Sequence, residues 1–109
     1  MYRAGGATLN NMTPKVKDTT GAKKGLSTFE DPETAPIQID KAQEIETDSL
    51  KAPLTAVRNG ARVGDTHVSI LPDTDDKLVN WAGRKGPEYP AYSQNVLDAG
   101  TGKVWKPTK

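Results

Sequence analysis

The run Gly25-Leu26-Ser27-Thr28-Phe29-Glu30-Asp31 constrains this chain more than any other. Leu26 and Phe29 are apolar anchors, and Ser27 and Thr28 set two hydroxyls between them. Gly25 permits a tight turn or a close backbone approach just before them. Asp31-Pro32-Glu33 then reads as a helix start, with Asp31 as the capping residue and Pro32 at the first helical position. A strand that runs into a helix start gathers unpaired backbone N–H groups, which suit an anion such as phosphate. The plainer reading of the same residues is a strand that ends in a capped turn.

The rest of the chain limits what this segment can be part of. With 109 residues there is room for one domain, and an apolar fraction of 34% with a single Phe predicts a small core. The formal net charge is +1, without the basic excess of an electrostatic nucleic-acid binder. There is no Cys and one His, which excludes disulfides, thiolate metal sites and His-cluster metal sites. No apolar run approaches the roughly 20 residues of a membrane span. No secretory signal is expected ahead of a strand that starts at Met1.

Four strands are predicted: residues 1–4, residues 25–29, Pro53 to Arg58, and Thr66 to Leu71, the last β-branched and stopped by Pro72. Its alternation sets His67, Ser69 and Leu71 on one face and Val68 and Ile70 on the other. Residues 5–24 read as a long polar loop. Pro36 limits the helical turn that begins at Pro32. Ile37-Gln38-Ile39 is a short extended piece, and Asp40 to Leu50 a thin helix capped by Asp40. Asn59-Gly60 and Gly64-Asp65 are turn signals before the Thr66 strand. A helix over about 75–83 is capped by Asp75 or Asp76 and ended by Gly83. The Pro/Gly-rich residues 86–109 form an aromatic tail, either extended over the core or folded as a hairpin of Val96-Leu97 with Val104-Trp105.

Three motifs occur in order: Tyr2-Arg3-Ala4, Gly25 to Glu30, and His67 to Pro72. In that order they resemble the "YRA/YRG" opening, the "GLSTFD"-like segment and the "HYxIxP" strand of the small ADP-ribosyltransferase-like toxins of bacterial type VI secretion, including toxin domains at the C-termini of Rhs proteins. The resemblance spans roughly residues 1–83. It implies an α+β, ADP-ribosyltransferase-like fold, a small and mostly antiparallel β half-sandwich with few short helices. NAD would lie, as substrate, in a cleft between two small sheets, with no metal. The domain is then residues 1–109, with a core of 1–85 and a tail of 86–109.

On its own, Arg3 reads as a surface cation, although its fork suits pyrophosphate or ribose hydroxyls. The resemblance gives Arg3 the NAD ribose and phosphate, Ser27 and Thr28 the nicotinamide end, and His67 the support of the pocket. Arg3, Ser27 and His67 are the expected catalytic group, and Arg3, Ser27 and Thr28 the expected cofactor contacts. Val68 stands where the family has Tyr. The late acid of many such enzymes has one candidate here, Glu88, and no Glu-x-Glu follows His67. A serine triad is not expected, because a lone His has no compelling third partner. The three side chains are predicted to share one cleft, rimmed by the 5–24 loop and the tail.

Cleavage of the nicotinamide–ribose bond follows from the resemblance, with ADP-ribose passing to water or to an unknown acceptor. A cognate immunity protein, a secretion carrier and action in a target cell's cytoplasm are the implied setting. The competing reading is a non-catalytic protein-interaction module, such as a binding toxin or a phage accessory protein. A ribonuclease fits less well, because there is no His pair.

Overall fold

In the computed structural model, which describes residues 1–34, 41–60 and 64–106, six short strands form one antiparallel sheet. They are β1 (Tyr2–Ala4), β2 (Leu26–Phe29), β3 (Ala42–Ile45), β4 (Thr55–Arg58), β5 (His67–Leu71) and β6 (Gly100–Trp105). Their order across the sheet is β4-β5-β2-β1-β3-β6. Two helices, α1 (Asp75–Ala82) and α2 (Glu88–Asp98), are added on one face. The α+β class and the antiparallel sheet agree with the sequence reading. The expected pair of small sheets is, among the described residues, a single sheet.

The turn before β2 works as its glycine predicts. Gly25 has φ +113°, and a Cβ there would meet the Ile70 carbonyl oxygen at 2.8 Å. Only glycine allows both that backbone conformation and that approach. After β2, Asp31 Oδ1 accepts from Glu33 N–H at 3.0 Å and caps a single 3₁₀ turn, Pro32–Thr34. The expected extended piece at 37–39 lies outside the described residues. At α1 the cap is Thr74, whose hydroxyl accepts from Lys77 N–H at 3.2 Å. Asp75 and Asp76 occupy its first turn instead, where their charge meets the positive end of the helix dipole. Gly83 ends the helix as predicted.

Two expectations fail. Asp40 to Leu50 was expected to be helical, yet Ala42–Ile45 is a strand, because β1 and β6 pair with it on either side. Ladder bonds on both edges outweigh the modest helix preference of Ala, Gln and Glu. Over residues 86–106, the described part of the expected tail, the chain is neither extended over the core nor a hairpin. Val96 and Leu97 lie in α2, and Val104 and Trp105 lie in β6 against β3.

The register decides which side chains meet. Ser27 lies opposite Ser69, Phe29 opposite His67, and Tyr2 opposite Phe29. Side chains alternate along each strand, so Tyr2, Ser27, Phe29, His67 and Ser69 share one face. Arg3, Leu26, Thr28 and Ile70 belong to the other. The second face carries the main core: Leu26 and Ile70 from the sheet pack with Met12, Leu78, Trp81 and Val96. A smaller cluster of Phe29 and Ala42, flanked by Tyr2, Ala4 and Trp105, occupies the first face.

Residues 5–24 contain one 3₁₀ turn, Val16–Thr19, and otherwise form a strap. Met12 joins the helix-side core, and the strap's other end reaches the opposite face, where the Ala22 and Lys23 carbonyls accept from Asn59 and Ser69.

Candidate functional site

Ser27 is the meeting point of the predicted residues. Its carbonyl accepts from Arg3 Nη1 at 2.8 Å, and its hydroxyl lies 3.2 Å from His67 Nε2. The two contacts come from opposite faces of the sheet, so the single cleft expected for Arg3, Ser27 and His67 does not form: strand alternation sets Arg3 on the face away from the other two side chains. β1 and β2 share one register pair, Tyr2 with Phe29, and beyond it the Arg3 guanidinium takes up the Ser27 carbonyl. Arg3 Nε donates to the Asn11 carbonyl at 2.8 Å, so the same side chain ties the strap to the sheet. Arg3 Nη2 makes no hydrogen bond among the described residues. Burial pushes the guanidinium below its ordinary pKa, and the nearby Asp18 carboxylate opposes that shift.

His67 is 5% exposed and is held at both ring nitrogens. Nδ1 lies 2.6 Å from Asn59 Oδ1, and Phe29 packs edge-on against the ring with centroids 5.4 Å apart. Beside it, Asp65 accepts the His67 backbone N–H at 3.0 Å and pairs with Lys23 Nζ at 2.6 Å. Burial holds the imidazole below its ordinary pKa, Lys23 adds to that, and Asp65 and Asp18 work against it. The ring is thus kept in its neutral form at neutral pH.

Asn59 is the residue that sequence reasoning missed as a site residue. Its Nδ2 donates to Ser69 Oγ at 2.9 Å and to the Ala22 carbonyl at 3.2 Å. In the sequence it reads only as a turn signal before Gly60. Alternation extended past the end of β4 would have put it on the face of His67, had the register been known. It supplies the third partner that the sequence lacked for a Ser–His pair.

Thr28 takes no part in this group. It is fully buried on the helix side, where its hydroxyl donates to the Val68 carbonyl at 2.8 Å. Glu88, the candidate late acid, belongs to the helix layer. It is 8% exposed, and Oε1 accepts from Asn80 Nδ2 at 3.2 Å. The expected rim is half right: the strap borders the group, but the aromatic tail does not. Tyr92 stacks edge-on with Trp81, the Arg84 guanidinium lies over Tyr89, and Trp105 joins the cluster around Ala42. A cavity of about 220 Å³ is bounded by Met12, Gln43, Ile45, Val96 and Gly100, and neither Ser27 nor His67 lines it.

Among the described residues no group of three or more His, Asp or Glu side chains could hold a metal ion, and no helix is long and apolar enough to cross a membrane. No family model, no curated protein and no solved structure matches this chain.

Proposed function

We propose that this chain is an antibacterial toxin domain of the ADP-ribosyltransferase-like kind, which binds NAD and cleaves its nicotinamide–ribose bond. The observation that carries the reading is the double hold on Ser27, by Arg3 at the carbonyl and by His67 at the hydroxyl. Two of the three motifs of the resemblance thereby meet the third at a single residue. In this reading the Ser27 hydroxyl meets the nicotinamide-side ribose. Lys23 is the ammonium on the same side and faces the pyrophosphate. Arg3 fixes the strand from behind, on the face away from the Ser27 hydroxyl. Stabilisation of the cationic ribosyl group as nicotinamide leaves would be electrostatic. ADP-ribose passes to water or to an acceptor. The setting is a target cell's cytoplasm, with delivery by a secretion carrier and neutralisation by a cognate immunity protein.

A second reading, a non-catalytic interaction module, is favoured by a different observation. Arg3 and His67 spend most of their bonding groups inside the protein, and neither lines the cavity. One assay separates the two. Purified protein is incubated with NAD and free nicotinamide is measured. Release that is lost in Ser27→Ala supports the toxin enzyme, and no release from folded protein supports the module.

A further inference from the structure

We propose that Ser27, His67 and Asn59 form a nucleophile–base–orienter relay that makes the Ser27 hydroxyl reactive toward carboxylic esters. The inference does not depend on NAD. It rests on the direction in which each hydrogen bond of the network must run.

The direction follows from counting donors. Ser69 Oγ donates to the Lys23 carbonyl at 3.3 Å, and a carbonyl can only accept. Ser69 Oγ therefore accepts from Asn59 Nδ2 at 2.9 Å. The other Nδ2 hydrogen goes to the Ala22 carbonyl. With both amide hydrogens committed to acceptors, the Asn59 atom facing His67 is Oδ1, which has no hydrogen to give. His67 Nδ1 must then carry the ring proton, and in the neutral ring Nε2 holds a lone pair. That lone pair faces Ser27 Oγ at 3.2 Å, so the Ser27 hydroxyl donates to it.

This is the arrangement in which a serine is activated: a hydroxyl on an unprotonated imidazole nitrogen, with the other nitrogen held by a fixed acceptor. Burial and Lys23 keep the ring neutral, which the base needs. Ser27 is half-buried, whereas His67 is shielded. In the reaction Ser27 Oγ bonds to the ester carbonyl carbon and its proton passes to Nε2. The ester C–O bond breaks and the alkoxide leaves with that proton. Water then attacks the acyl-serine, losing a proton to Nε2, and the Ser27 oxygen takes it back as the acid departs. The sum is ester plus water to acid plus alcohol. Asn59 touches no reacting atom and is a positioning residue.

The test treats the full chain with a fluorophosphonate probe and locates the adduct by mass spectrometry. The expected result is labelling at Ser27, abolished in Ser27→Ala and slowed at least about 100-fold in His67→Gln, the scale of a lost general base. A second measurement needs no variant. His67 is the chain's one histidine, so ¹⁵N spectra of labelled protein report its tautomer directly. The Nδ1-protonated form is expected, and Asn59→Ala should shift it toward the other tautomer and slow labelling. The proposal is overturned by an Nε2-protonated ring in the native protein. It is equally overturned if Ser27 labels no faster than in urea-unfolded chain, or if folded His67→Gln labels at the native rate. Nicotinamide release from NAD is read separately, so loss of one activity leaves the other standing.

Discussion

The Arg3 side chain and the Ser27 hydroxyl leave opposite faces of the same sheet, yet Arg3 Nη1 donates to the Ser27 carbonyl at 2.8 Å. Arg3 thus acts on Ser27 through the backbone. Arg3→Ala leaves two carbonyls without their donor, in a half-buried setting, and should destabilise the fold by about 1–3 kcal/mol. Arg3→Lys should recover only part, since one ammonium cannot reproduce the fork that spans Asn11 and Ser27. Urea unfolding of the three proteins measures this. Toxicity in bacterial cytoplasm, if present, should fall in both variants at unchanged protein level.

The lowered pKa of His67 makes stability depend on pH. Unfolding returns the imidazole to its ordinary value of 6.5, so in mild acid the unfolded chain binds more protons than the native one. The contribution is complete above about pH 6.5 and is lost as pH falls below that value toward the folded one. Unfolding curves at about pH 7.5 and about pH 5.5 should show a smaller loss for His67→Gln than for the native chain.

Gly25→Ala should be among the most damaging single substitutions. It forces a left-handed φ on a side chain and drives Cβ against the Ile70 carbonyl. Backbone strain of this kind costs on the order of 1–3 kcal/mol before the contact is counted. A fall in the thermal midpoint without change in net charge checks it.

Ser93 joins strap to helices. Trp81 Nε1 donates to Ser93 Oγ at 2.9 Å, and Ser93 lies 2.6 Å from Thr13 Oγ1, which itself donates to the Leu9 carbonyl. Ser93 therefore accepts from the indole and donates to Thr13. Ser93→Ala would strand the buried indole N–H, at about 1–3 kcal/mol. Trp81→Phe in the same background should cost less than in the native chain, and a double-mutant cycle reads the difference.

The elements legible in the sequence were those whose local pattern and tertiary role agree. Thr66 to Leu71 is β-branched and becomes β5, and the Leu78-Trp81-Ala82 stripe becomes the buried side of α1. β3 was not legible, because Ala42-Gln43-Glu44 prefers helix locally and is a strand only through its neighbours. β6 was hidden by Gly100 and Gly102, which read as turn residues. At the candidate site, Ser27 and His67 were singled out in the sequence, and the structure sets Ser27 Oγ 3.2 Å from His67 Nε2. Asn59 was not singled out, because its place beside His67 comes from the register of β4 on β5, which no single segment encodes.

The strand order gives β1 and β6, the first and last strands in chain order, unequal mechanical roles. β1 lies between β2 and β3, whereas β6 forms an outer edge. Traction on the C-terminal side peels β6 from β3 one bond after another. Traction on the N-terminal side must draw β1 out from between two ladders at once, with Arg3 still gripping the carbonyls of Asn11 and Ser27. A machine that threads the chain through a narrow channel would therefore meet the greater resistance when it starts from the N-terminal strand.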